Sequence, residues 1–372
     1  MTEKMTVTPW EVKGEIDYYK LIKEFGTEPL TDELIARLKR HTKDLHLLLR
    51  RKMFFSHRDF GWILDEYEKD NKFYLYTGRG PSGHTHLGHL IPWFLTKWLQ
   101  DKFKAKLYFQ LTDDEKFLFN PKLSIEDTQK FAYENTLDII ALGFDQKRTF
   151  VFSDINYAKT LYKEALKVAK KLTFSTTKAV FGFTSESNVG QIFFTSMQSV
   201  PCFLESIKAG KNVPCLIPLA IDQDPHFRIT RDIAPKLGYY KPAIIHSKFL
   251  PGLGKGGKMS ASEPDTCIFT TDSQEQIDRK ISNAFTGGAA TIKEQKEKGG
   301  NPDICSVYQY YYFVFEPDDK KVKELKEKCK AGKIMCGECK KELASRIKKF
   351  MAEHQKKREQ AKKVIDKFIL SD

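Results

Sequence analysis

The sequence predicts an α/β fold, a parallel β-sheet flanked by helices and followed by an all-helical C-terminal region. Three observations predict it. Residues 73–112 read as strand, glycine loop, helix and strand, the order of a βαβ unit whose strands run parallel. Further short strands, Thr149–Phe152, Val213–Ile221 and Ala243–Lys248, alternate with helical stretches. Beyond Ser273 the pattern is mostly helical and increasingly basic, with Pro264 marking the boundary.

In chain order, Thr8–Val12 reads as a short strand, and Ile16–Phe25 and Asp32–Arg40 as helices, the second N-capped by Thr31. Leu47–His57 is basic and apolar and leads into a helix near Asp59–Lys69. The aromatic run Phe73–Tyr76 is a strand, Thr77–Gly83 a loop, His86–Phe103 a helix and Ala105–Thr112 a strand. Helices follow at Ser124–Ala141 and Tyr157–Lys171. The last long helix, Cys339–Phe368, has an apolar side of Leu343, Ile347, Phe350 or Met351, Ala361, Ile365 and Phe368.

A length of 372 residues suits two or three domains: an N-terminal extension (1–70), a sheet domain (71–263) and a helical domain (264–372). With 41% hydrophobic and 30% charged residues, and no apolar run of the ~20 needed to span a bilayer, the expected setting is soluble, with no membrane partner. The first residues hold no signal core, and seven cysteines suit reduced thiols, so the expected compartment is the cytoplasm. Residues 320–372 carry 18 Lys and Arg against 8 Asp and Glu, so +10 of the formal +13 lies there and +3 elsewhere. A positive block at one end points to a polyanion, here RNA.

Three motifs are set aside. Gly78-Arg79-Gly80-Pro81-Ser82-Gly83 matches a dinucleotide fingerprint, but the acid that should hold a ribose is replaced by the run Asp113-Asp114-Glu115. Gly252–Met259 nearly matches a P-loop, yet Met259 stands where a Mg²⁺-binding hydroxyl is required. Cys329, Cys336 and Cys339 contain one C-x-x-C pair, short of a zinc site, so they read as small residues opening a helix.

Two stretches carry chemistry. His86-Leu87-Gly88-His89 sets two imidazoles around a glycine at a helix start, and Lys258-Met259-Ser260-Ala261-Ser262 sets an ammonium and two hydroxyls in a glycine-rich loop. Both suit a triphosphate cleaved between its α and β phosphates. The pair resembles the HIGH and KMSKS signatures of class I aminoacyl-tRNA synthetases. Together with Tyr76–Ser82, Gln110–Lys116 and Ala220–Asp232, they are similar to the cytosolic tryptophanyl-tRNA synthetases of eukaryotes and archaea, from about Pro9 to Phe368.

The resemblance implies a Rossmann-like catalytic domain, a helical anticodon-binding domain and a homodimer with contacts between about residues 119 and 203. It implies activation of L-tryptophan with ATP, Mg²⁺ arriving with the nucleotide and no resident metal, then transfer to the 3′ end of the tRNA for tryptophan. Lys258, Ser260, Ser262, His86 and His89 would act on the phosphates, with Arg79, Gly88, Lys116, Asp222 and Met259 completing the ATP site. Tyr76 and Gln110 would hold the indole N–H, Glu115, Gln198 and Gln223 the amino-acid head, and Phe227 a wall. Lys348, Lys349, Lys356 and Lys357 would meet tRNA phosphates. The competing readings are a tyrosyl-tRNA synthetase, a non-catalytic RNA-binding paralogue and a small-molecule nucleotidyltransferase; the last would not need the basic helical region.

Overall fold

The computed structural model describes residues 5–10, 12–14, 16–260 and 263–372. Its strands are β1 (Thr6–Val7), β2 (Val12–Lys13), β3 (Glu28–Pro29), β4 (Phe54–Arg58), β5 (Tyr74–Arg79), β6 (Leu107–Leu111), β7 (Thr149–Ser153), β8 (Cys215–Ala220) and β9 (Ala243–Ser247). Of the strand expected at Thr8–Val12, Val12 lies in β2, paired antiparallel with Val7 of β1, while residues 8–10 follow β1 outside any strand and Glu11 lies outside the described residues.

The other strands form one sheet in the order β3-β4-β9-β8-β5-β6-β7. From β9 to β7 every pairing is parallel, as the βαβ reading requires; β3 and β4 add an antiparallel edge. The sheet is therefore mixed, and the segment before residue 71 extends it.

Period-two alternation gives the sheet two cores. Leu75, Phe109, Val151, Leu216 and Ile245 face one cluster, with Trp93 of the helix Leu87–Phe103. Their neighbours Tyr76, Tyr108, Phe152, Ile217 and Ile244 face the other, with Phe227.

The long helix runs from Cys336 to Ala361 and ends earlier than expected; residues 365–367 form a 3₁₀ turn. It packs on the helix Ile125–Ala141, where buried Asp138 accepts from His354 at 2.9 Å and pairs with Arg358 at 2.5 Å. The chain then reaches the open edge of β7: Val151 N–H donates to Phe368 C=O at 2.8 Å and Leu370 N–H to Val151 C=O at 2.7 Å. An otherwise unpaired edge is thus covered.

Candidate functional site

Chain order reverses between β5 and β8, and parallel sheets open a crevice at the carboxyl ends of strands at such a switch point. A cavity of about 660 Å³ lies there. Tyr76, Arg79, His86, Gly88, His89, Glu115, Lys116, Gln198, Asp222, Gln223, Phe227, Lys258, Met259 and Ser260 all line it. Gln110 stands behind Tyr76, and Ser262 lies outside the described residues.

At one end are the imidazoles. His86 is the N-cap of the helix Leu87–Phe103, and its N–H donates to His89 Nδ1 at 3.1 Å, the reciprocal half of a capping box. The two rings stack at 3.5 Å. Burial, then the charges of Arg79 and Lys258, push His86 down to about 3; burial, Arg79 and His86 hold His89 well below the usual imidazole range. Both are neutral at physiological pH, so they serve as hydrogen-bonding groups, not cations. Burial lowers Arg79 to about 10, which leaves it charged.

Gly88 sits in close packing, since a Cβ there would fall 3.1 Å from the His86 ring, which would have to give by a few tenths of an ångström. Its N–H donates to Met259 Sδ at 3.4 Å, tying the helix start to the lysine loop. That loop turns on Gly256 and Gly257, both at positive φ, and closes through a bridge between Pro251 and Lys258. Lys258 Nζ reaches Asp222 Oδ2 at 3.2 Å. Asp222 sits in the short turn after β8, not on the strand itself.

The buried atoms Arg79 Nε, His86 Nδ1 and Asp222 Oδ1 have no partner among the described residues. Buried polar groups are costly unless hydrogen-bonded. Two potential donors and an acceptor around one crevice fit a ligand that carries both anionic and hydroxyl oxygens.

At the other end, Tyr76 OH donates to Gln110 Oε1 at 2.5 Å and accepts from Gln198 Nε2 at 2.9 Å. Gln198, expected at the amino-acid head, is therefore held at the tyrosine hydroxyl. Gln110 Nε2 in turn donates to both Asp154 oxygens at 2.9 Å. Burial and the neighbouring Asp114 raise Asp154 well above the carboxylate range, and burial raises Asp114 to about 7. The Phe227 ring lies edge-on to Tyr76 at 5.8 Å. Burial pushes Glu115 up, but Lys116 at 2.8 Å and the Thr112 hydroxyl at 2.7 Å pull it below its ordinary value, so it is a carboxylate. Gly80 leaves room for that lysine: a Cβ there would fall 2.0 Å from Lys116 Cε.

Several lining residues were not anticipated. Pro9 and Trp10 bring the N-terminal hairpin to the cavity; Trp10 stacks on Phe119 at 5.0 Å, and Gln223 Nε2 donates to Pro9 C=O at 3.4 Å. His226, lowered to about 4 by burial, also lines it. Asp154 had no sequence signal at all. Among the C-terminal lysines, Lys349, Lys356 and Lys357 are exposed, whereas Lys348 is half-buried and paired with Asp278 at 2.8 Å.

The profile of tRNA synthetases class I (W and Y) matches residues 68–352. A tryptophan–tRNA ligase of Pyrococcus furiosus is 54% identical over 371 residues, 99% of this chain and 94% of that one. Among solved structures, a Plasmodium falciparum tryptophanyl-tRNA synthetase superposes with a TM-score of 0.89 at 44% identity, covering 95% of this chain and 97% of its own. A tryptophanyl-tRNA synthetase of Encephalitozoon cuniculi bound to tryptophan does so at 0.87 and 38%, covering 95% and 98%.

Proposed function

Since the chain belongs to the class I tRNA synthetases of the tryptophan and tyrosine family, we propose that its cavity activates L-tryptophan with MgATP and passes it to the 3′ end of the tRNA for tryptophan. One observation carries this reading: Lys258, the paired imidazoles and Tyr76, backed by Gln110, face one crevice.

The tryptophan carboxylate oxygen attacks the α-phosphorus of ATP, the bond from that phosphorus to the bridging oxygen breaks, and pyrophosphate leaves. The terminal ribose hydroxyl of the tRNA then takes the acyl group, releasing AMP. No enzyme nucleophile is needed; the barrier falls through positioning and charge stabilisation. Lys258, with Ser260 and Ser262, meets charge gathering on the β and γ phosphates. His86 and His89 donate to phosphate oxygens as neutral imidazoles, and an arriving phosphate offsets the fields of Arg79 and Lys258. Asp222 accepts from ribose hydroxyls, while Gly88 and Met259 bound the base. Glu115, a carboxylate at physiological pH, takes the substrate ammonium with Gln223. Mg²⁺ enters with the triphosphate as substrate.

At the indole, the Tyr76 and Gln110 oxygens provide the acceptor. A site built to hydrogen-bond its substrate rejects one lacking that group by ~10⁴–10⁵. Names of curated relatives favour tryptophan over tyrosine.

The exposed lysines of the C-terminal helix meet the tRNA backbone. Exposed Tyr162, Leu166, Phe174 and Val189 supply apolar surface for a homodimer within residues 119–203. No helix among the described residues is long and apolar enough to cross a membrane; the working compartment is the cytoplasm.

The test is ATP–pyrophosphate exchange with tryptophan and with tyrosine, on wild type and Lys258→Ala. Exchange with tryptophan alone, reduced by about 10²–10³ in the variant, is expected for a lost transition-state charge contact. Near-normal exchange in Lys258→Ala would overturn the assignment of Lys258, and exchange with neither amino acid would favour the RNA-binding paralogue.

A further inference from the structure

Behind the cavity wall, four side chains form one hydrogen-bonded chain with a single direction. Gln198 Nε2 donates to the Tyr76 hydroxyl at 2.9 Å, Tyr76 donates to Gln110 Oε1 at 2.5 Å, and Gln110 Nε2 donates to both oxygens of Asp154 at 2.9 Å. Every proton along it points away from Gln198 and toward Asp154.

The fold fixes the far end of that chain. β6 and β7 pair in parallel with Gln110 opposite Phe152, so residue 154 emerges beside Gln110 just past the end of β7. Asp154 N–H donates to Leu111 C=O at 3.1 Å. On either side of it, Ser153 Oγ donates to Asp113 at 2.5 Å and Ile155 N–H to the same carboxyl group at 3.2 Å, which holds the turn. Asp154 is 1% exposed and does not line the cavity.

A glutamine amide ends in an acceptor oxygen and a donor nitrogen of nearly the same shape, so packing alone does not orient it. Asp154 does. Burial and the nearby Asp114 keep a proton on these two acids, which are hydrogen-bonded to each other. With that proton between them, Asp154 still offers an oxygen to Gln110. A flipped Gln110 would oppose Oε1 to the Asp154 oxygens and turn its nitrogen on a hydroxyl that already accepts from Gln198. Both the Tyr76 and the Asp154 contacts would then be lost at a fully buried site.

We infer that Asp154 is a positioning residue that sets the polarity of the slot: it holds the Gln110 amide so that oxygens of Tyr76 and Gln110, not their hydrogens, are left to receive the ligand. Such a slot takes a planar ring system with an N–H donor and rejects one of equal shape that lacks it. The inference deepens the tryptophan reading above and rests on it.

The experiment measures ATP–pyrophosphate exchange by the full chain, wild type and Asp154→Leu, with L-tryptophan and with its analogue carrying sulfur in place of the indole N–H. The analogue keeps the ring shape and removes the donor. Wild type should prefer tryptophan by at least about 10-fold in kcat/KM, since the analogue leaves a buried acceptor unmet. Leucine is close to aspartate in size and accepts nothing, so Gln110 loses its orientation. The value for tryptophan should fall about 10-fold in the variant, while the value for the analogue and KM for ATP stay near wild type. Equal losses for both amino acids, as a merely structural role gives, would overturn the inference. So would a folded Asp154→Leu protein that keeps the wild-type preference. A wild type that uses both amino acids equally would overturn it without any variant having to fold. No exchange with tryptophan in wild type would remove the tryptophan reading itself, and this inference with it.

Discussion

The Lys258 ammonium lies 3.2 Å from one oxygen of Asp222, whose other oxygen has no partner among the described residues. This ion pair holds the lysine at the place proposed for the ribose. On the proposed reading, a triphosphate draws Lys258 away as the ribose takes Asp222. Asp222→Asn removes the charge at both stages. A hydrogen bond to a charged group is worth about 1.5–3 kcal/mol, so KM for ATP should rise about 10- to 100-fold in pyrophosphate exchange. The KM for tryptophan should move far less. Equal rises in both constants would place Asp222 outside the nucleotide end.

The chain Gln198–Tyr76–Gln110–Asp154 makes the second prediction. Tyr76→Phe removes a hydroxyl that both accepts from Gln198 and donates to Gln110, leaving two buried amides short of a partner. The expected loss in kcat/KM for tryptophan is about 10- to 100-fold, with ATP parameters nearly unchanged. An unchanged kcat/KM would mean that the hydroxyl is structural.

That His86-Leu87-Gly88-His89 and Lys258-Met259-Ser260 belong together was legible, because the groups each contributes stand close together in sequence, and one cavity brings the two stretches together. The strand β4, paired between β3 and β9, was not. Leu47–His57 reads only as basic and apolar, yet in the strand Ser56 is tied to His246, His246 and Arg58 to Asp224, and Ser56 and His57 are buried. Polar burial satisfied by distant partners erases the alternation that announces a strand. Asp154 was missed for the same reason, since its partner Gln110 comes from a remote element. The helix after residue 336 was legible from its apolar spacing, but its register on the helix Ile125–Ala141 depends on Asp138, His354 and Arg358, which no periodicity reports.

Stability should depend on pH through the histidines of the site. His86 is lowered to about 3 and His226 to about 4, against an ordinary value of 6.5. Between these values the unfolded chain binds protons that the folded chain refuses, so stability is full above about 6.5 and falls with acid toward pH 3–4. Urea midpoints measured from pH 7.5 to 4.5 should decline, and His226→Gln should flatten the slope. Ionised acids also titrate at the low end, so the comparison rests on the difference between variant and wild type. Identical slopes would show that His226 takes up a proton in the folded protein.

The last prediction concerns the helical part. Asp138 is buried, accepts from His354 and pairs with Arg358, which also reaches Glu134 at 2.6 Å. Burial pushes the Asp138 carboxyl up, but the hydrogen bond of His354 and the charge of Arg358 more than reverse this. Breaking a buried pair by removing one partner costs about 3–5 kcal/mol, and the surviving Glu134 contact places Asp138→Ala at the low end. The thermal midpoint should fall accordingly. Because the lock joins the C-terminal helix to the sheet domain away from the crevice, tRNA charging should fall more than pyrophosphate exchange. Parallel losses in both assays would mean that this contact supports the catalytic fold itself, and not the placement of the basic helix.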